Sequence, residues 1–216
     1  IRWNEPTPRV VQLSLEVNHE LPPPGSVRPF PWSEKLTPSG LGDSRYVSGL
    51  LVVKELGHFE IDGERYMIVP ASLLERFSST FLAYAPDLSD VQWIECPSDW
   101  SKPDTSGMCL LTSSVVELFS LSERAVCITG KDSWDAYLRT YLSEQGWGGA
   151  TVVSYDPQSY DTTLTFPKSP LSPFSIGLVA GIWERAHGRK FHLSLKLIDG
   201  TIHVNLRSLL AYENSV

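Results

Sequence analysis

The chain has 216 residues, 42% hydrophobic and 20% charged, and 25 acidic against 18 basic side chains leave a formal net charge of −7. At about 100–200 residues per domain this is one large domain or two small ones, able to bury about 70% of its unfolded surface without disulfides or metal. The acidic balance and the absence of any Lys/Arg run exclude the basic field on which nucleic acids and anionic membranes are usually bound.

The densest basic cluster is Arg185, Arg189 and Lys190, and Glu184 stands beside it. Cys96, Cys109 and Cys127 fit neither a disulfide framework nor a zinc site. No apolar stretch approaches the roughly 20 residues that span a bilayer, and the N-terminus has no signal-peptide pattern, so an intracellular protein is expected. Beginning at Ile1 without a methionine, the chain reads as a trimmed or processed piece. Abundant Ser, 16 Pro and 7 Trp suit a loop-rich β or α+β protein better than a helical bundle.

In chain order, Val11, Leu13, Leu15 and Val17 alternate with more polar neighbours and predict a half-buried strand. Pro22, Pro23, Pro24, Pro29, Phe30, Pro31 and Trp32 lie in an extended, polyproline-like loop that runs with further Pro and Gly over residues 21–44, because proline lacks a donor and fixes φ. Asp62-Gly63 between strand-like runs predicts a β-hairpin, since both central residues of a type I′ turn need φ > 0. Ser72-Leu73-Leu74-Glu75 reads as a capping box opening a helix with Leu73, Leu74 and Phe77 on its apolar face.

Met108 to Thr112 reads as a strand, with a second capping box at Ser114 to Glu117 and a short helix after it. Arg124 to Thr129 reads as another strand, Asp132 as a cap, and Trp134, Tyr137, Leu138, Tyr141 and Leu142 as one helix face. Gly146-Trp147-Gly148-Gly149 ends that helix, and Ala150 to Tyr155 returns as a strand. Residues 156–174 read as a Ser/Pro loop, and Ile176 to Trp183 fits strand or helix equally.

Asp199-Gly200 predicts a second hairpin. Its register sets His203 opposite Lys196 and His192 opposite Arg207 on a polar face, with Leu195, Leu197, Val204 and Leu206 on the other. The echo of Ile61-Asp-Gly with Ser72-Leu-Leu in Ile198-Asp-Gly with Ser208-Leu-Leu admits a duplication, though hairpins and caps draw on the same few residues everywhere.

The expected fold is a single α+β domain over 1–216, with an antiparallel-rich sheet around two Asp-Gly hairpins, two to three short helices, and long loops at 21–44 and 156–174. The alternative is an α/β fold with a parallel core on the strand–helix–strand unit at 124–155. Val11, Leu13, Leu15, Phe59, Ile61, Leu73, Leu74, Phe77, Trp134, Leu138, Leu195, Leu197, Val204 and Leu206 are the expected core.

No reactive constellation stands out. His19, His58, His187, His192 and His203 have no ligand spacing, and cationic neighbours on the second hairpin would repel a metal. There is no GxSxG elbow. Cys109 and Cys127 sit in apolar runs that bury inert thiols, which leaves Cys96, in a loop, as the better candidate nucleophile. Thr129-Gly-Lys131-Asp-Ser133 is near a phosphate-loop ending but lacks its earlier glycine, and helix capping explains it better.

No catalytic residue, cofactor or metal is therefore expected. The functional expectation is a non-catalytic interaction or assembly protein that binds a protein partner or itself, as a structural or accessory subunit of a larger complex such as a virion. Pro22, Pro23, Pro24, Pro29, Phe30, Pro31 and Trp32 are its candidate partner-binding residues. The alternatives are a hydrolase or transferase with a dispersed site, and a small-ligand sensing domain.

Overall fold

A computed structural model describes residues 2–7, 10–14, 30–33, 52–55, 58–61, 64–66, 69, 71–84, 93–122 and 124–209. Strands β1 (Arg2–Thr7) and β2 (Val10–Ser14) form an antiparallel pair. Strands β3 (Val52–Glu55), β4 (His58–Ile61) and β5 (Glu64–Tyr66) form an antiparallel sheet of three. Ile61 opposite Glu64 leaves two residues for the β4–β5 turn; Asp62 and Gly63 themselves lie outside the described residues.

Helix α1 (Ala71–Tyr84) follows, then β6 (Ile94–Glu95), α2 (Lys102–Leu121), α3 (Lys131–Leu138) with a π-helical turn at Arg139–Ser143, β7 (Thr151–Tyr155), β8 (Thr162–Pro167), α4 (Ser172–His187), β9 (Phe191–Ile198) and β10 (Thr201–Ser208). The largest sheet has the order β6-β9-β10-β8-β7, antiparallel except where β6 runs parallel to β9. The fold class is α+β.

The second hairpin follows the sequence closely. Asp199 and Gly200 take φ of 47° and 76°, as a type I′ turn requires. His203 pairs with Lys196 and His192 with Arg207. Phe191, Leu193 and Leu195 alternate inward on β9, as do Ile202, Val204 and Leu206 on β10, while Leu197 is half-buried near the turn.

Helix α4 resolves the ambiguity at Ile176 to Trp183. It is apolar all round because it is covered on both sides, by the β9–β10 hairpin and by α2. Its small face lets the helix backbones approach closely: a Cβ at Gly177 would lie 2.6 Å from the Thr112 carbonyl oxygen, and one at Gly181 would lie 2.9 Å from Phe119 Cβ. Thr112 Oγ1, fully buried, donates to the Pro173 carbonyl at 3.2 Å and ties α2 to the start of α4.

Several expectations are corrected. Met108 to Thr112 is no strand; it belongs to α2, which starts at Lys102 after an N-cap at Ser101 whose hydroxyl accepts from the Asp104 amide. Ser114, expected as a cap, is in mid-helix and donates back to the Leu110 carbonyl at 2.9 Å. The cap that operates, Ser101-Lys-Pro-Asp104, has the same grammar and proline in the first turn, but stands thirteen residues earlier. The 156–174 segment is not one loop, since β8 fills its middle with Thr162, Leu164 and Phe166 buried. Three threonines in that run disguised a strand whose inward positions alternate correctly.

Residues 124–129 form no strand and join no sheet among the described residues, so the parallel α/β alternative is not formed. Cys127, expected to be buried there, is exposed. Asp132 does not cap α3: Ser133 Oγ accepts from the Thr129 and Gly130 amides at 3.0 and 3.1 Å and donates to the Gly130 carbonyl. Four helices are present among the described residues, and α2 and α4 are longer than the short helices expected.

Of the expected core, Trp134, Leu138, Leu195, Val204 and Leu206 are buried and Leu74 is half-buried. Leu73 and Phe77 are instead 54% and 51% exposed. Leu15 and the side chains of Val11, Leu13, Phe59 and Ile61 lie outside the described residues.

Candidate functional site

Phe77, on the face of α1 that was expected to be core, lines an open groove. Leu110, Ser114, Leu118 and Leu121 recur along α2 at helical spacing, and the last two are 68% and 71% exposed. A groove of about 530 Å³ runs between Phe77 of α1, this face of α2, and Phe174 and Leu178 of α4. Tyr141, Gln145 and Trp147 close its end.

That end is built locally. The π-helical turn sends the Glu144 amide to the Arg139 carbonyl at 2.9 Å, and the Trp147 amide folds back to Leu142 at 2.9 Å. Gly146 and Gly148, with φ of 76° and 94°, allow the reversal. Ser175 Oγ donates to the Trp147 carbonyl at 3.0 Å, which fixes this loop to α4. Among the described residues, none lining the groove carries a charge; Ser114, Tyr141 and Gln145 supply its polar groups.

The aromatics of the proline loop lie elsewhere. Phe30 and Trp32 are stacked 4.7 Å apart and buried, at 7% and 1% exposure, with Trp32 set 5.2 Å from Trp100. The Ser169 amide donates to the Trp32 carbonyl at 2.7 Å, and Ser33 Oγ reaches Glu75 at 3.3 Å. These rings are not displayed as anchors; the turn at 30–33 folds onto its own protein, the other arrangement open to two aromatics that each follow a proline. Pro31 is half-buried, and Pro22, Pro23, Pro24 and Pro29 lie outside the described residues.

The reactive groups named from sequence stay apart. Among the described residues no three His, Cys, Asp or Glu side chains gather in a geometry that could hold a metal ion. The Cys96 thiol is pushed well above its ordinary range by its hydrogen bond with Cys109 and by burial, the wrong direction for a nucleophile. Arg185 donates to the Ser120 carbonyl near the end of α2, Lys190 pairs with Glu184, and Arg189 lies 4.9 Å over the Tyr160 ring. The basic cluster thus serves the helix ends and the hairpin.

Among the described residues, His187 is the histidine whose surroundings shift it. Its ring stacks 4.3 Å from Tyr160 and 6.0 Å from Tyr155, with Trp183 edge-on at 4.9 Å, and its Nε2 is buried without a hydrogen-bond partner. Burial first, and the Arg189 charge second, lower its pKa to about 4. The unfolded chain then takes up a proton near pH 6.5 that the folded ring refuses until about pH 4. The stability held above pH 6.5 should therefore drain away as the pH falls from 6.5 to 4 and change no further below that. With the ring half-exposed, screening limits the loss to about 1–2 kcal/mol. Urea melts across this range should show a shallower acid slope for His187→Phe, which keeps a stacked ring but cannot titrate; equal slopes would refute the assignment.

The groove was missed because its walls come from segments far apart in the chain. The signal was still present: Leu110, Ser114, Leu118 and Leu121 form a stripe once α2 is started at Ser101. No described helix is long and apolar enough to cross a membrane. No protein-family model matches the chain, and comparison with curated proteins returns no relative.

Proposed function

We propose that the protein is a non-catalytic interaction module that takes the apolar face of a partner protein's amphipathic helix into the groove along α2. The observation that carries this reading is the exposure of Leu118 and Leu121 on a helix whose opposite face is core. From Leu110 to Leu121 the stripe runs about 16 Å, three turns of helix, and the floor between α2 and α4 is uncharged. An occupant that buries its apolar i, i+3, i+4 and i+7 positions matches both length and chemistry. A cavity of about 530 Å³ is also the size of a small-ligand pocket. Leu121 lies beyond that cavity, and a compact ligand would leave it in water.

The test uses a fluorescent peptide of about 20 residues with leucines on one helical face and mixed charge on the other. Wild-type protein should bind it, and Leu118→Asp with Leu121→Asp should weaken binding at least about tenfold, since each aspartate puts a charge into a dry contact. The double variant should melt at an unchanged temperature because both positions are exposed. Absence of peptide binding to the wild type overturns the reading. So does a leucine-dependent dimer in sizing experiments, which would make a second copy the occupant, or one apolar dye bound per chain that the peptide cannot displace, which would favour the small ligand.

A further inference from the structure

We infer that the cleft between the C-terminal half of α2 and the start of β9 binds a small organic amine, an ammonium group on a flat apolar body. Its volume, about 400 Å³, is in the range of small-ligand sites, and it shares no lining residue with the helix groove. Ser113, Val116, Glu117 and Ser120 fall at i, i+3, i+4 and i+7 and present one face of α2 to it. Glu184, near the end of α4, and Lys190, just before β9, complete its polar lining.

The apolar wall is built where the chain enters the sheet. The Leu193 amide donates to the Trp93 carbonyl at 2.8 Å, which fixes Trp93 beside the start of β9. Its ring meets buried Phe191 edge-on at 5.1 Å, and Phe191 in turn meets the core Trp183 edge-on at 6.0 Å. The Leu209 amide donates to the Lys190 carbonyl at 3.0 Å and brings a 50% exposed leucine to the same cleft. Trp93 is itself half-buried, so an indole rooted in the core shares the cleft with an exposed leucine. A flat apolar body covers both, and an ammonium beside the indole gains cation–π attraction.

The polar lining selects a cation. The Ser113 hydroxyl donates to the Cys109 carbonyl at 2.6 Å and the Ser120 hydroxyl to the Glu117 carbonyl at 3.0 Å, so each offers the cleft lone pairs. Glu117 and Glu184 add two carboxylates, and among the described lining residues Lys190 is the one cation. Helix α2 has no basic residue in its last turn, whose carbonyls form the negative end of the helix dipole. Arg185 and Arg189 line an adjoining hollow; Arg185 donates to the Ser120 carbonyl, and Arg189 lies over the Tyr160 ring. Lys190 pairs with Glu184, yet its side chain is 75% exposed. A ligand ammonium takes its place on Glu184, with Glu117 as a second acceptor, while Lys190 turns to water.

The experiment is calorimetric titration with phenethylamine and with 3-phenylpropionate, which keeps the ring and linker but replaces the ammonium by a carboxylate. Phenethylamine should bind once per chain with a dissociation constant of roughly 0.1–1 mM, and phenylpropionate at least about tenfold more weakly. Glu117→Gln with Glu184→Gln should weaken the amine at least about tenfold. Glu117 is exposed, so Glu117→Gln alone should fold as the wild type does and weaken the amine about threefold. Lys190→Ala, which removes the internal competitor for Glu184, should tighten it about threefold. Absence of saturable amine binding, equal affinity for amine and carboxylate, unchanged affinity in Glu117→Gln, or weaker binding in Lys190→Ala would each overturn the inference. None of these outcomes depends on whether the groove binds a helix.

Discussion

Gly177→Ala should be strongly destabilising, against the usual gain of about 1 kcal/mol when alanine replaces glycine inside a helix. The new Cβ would lie 2.6 Å from the Thr112 carbonyl oxygen and 2.8 Å from Val115 Cβ. The first of these is backbone in the middle of α2 and cannot rotate away. The helices must separate instead, which strains the Thr112–Pro173 hydrogen bond and loosens the packing of Met108, Val116 and Phe119. Overpacking of this kind costs about 1–3 kcal/mol or more, enough to outweigh the propensity gain.

Gly181→Ala should cost less, because its Cβ would meet Phe119 Cβ at 2.9 Å and ring atoms at 3.1 Å, contacts longer than the 2.6 Å backbone clash at Gly177. Gly149→Ala, with nothing within 4 Å, should be close to neutral. Urea denaturation of the three variants gives the order directly. Equal midpoints for Gly177→Ala and Gly149→Ala would mean that α2 and α4 are not in such close contact.

Trp183→Ala should be the most damaging single truncation, at about 3–5 kcal/mol. The side chain is fully buried on α4 and spans the interior to the sheet. Its Nε1 donates to the Tyr160 carbonyl at 2.9 Å and to Thr162 Oγ1 at 3.2 Å, and its ring meets Phe191 edge-on at 6.0 Å. Removal leaves a cavity and takes the indole donor from both acceptors, although the Tyr160 carbonyl keeps the Thr162 hydroxyl at 2.9 Å. Trp183→Phe refills much of the volume without restoring the donor, so it should cost about 1–3 kcal/mol, chiefly from the lost indole hydrogen bonds. Denaturant midpoints measured at a shared m-value separate the two contributions. A Trp183→Phe variant as damaged as Trp183→Ala would place the whole effect in ring shape instead.

What could be read from sequence was what neighbouring residues decide among themselves. The Asp199-Gly200 turn has a conformation that few residue pairs adopt, and a two-residue loop leaves one register for the strands on either side, so His203 had to face Lys196. Trp134 and Leu138 declared the buried side of α3 through spacing alone. Periodicity identified an apolar face on α1, but it carries no information on what covers that face. Phe77 lies beside a groove because α2 and α4 pack against each other, and that partnership depends on Gly177 and Gly181, about a hundred residues away in the chain.

The same limit hid β8, whose threonines are polar in composition and inward in register once β10 pairs with it. It also governed Phe30 and Trp32, since two aromatics that each follow a proline need some apolar cover, and only the placement of Trp100 and Ser169 makes that cover internal. Local geometry acts over a few residues, through φ, turn closure and side-chain period. Burial is a property of the assembled surfaces, and those came together only when distant segments met.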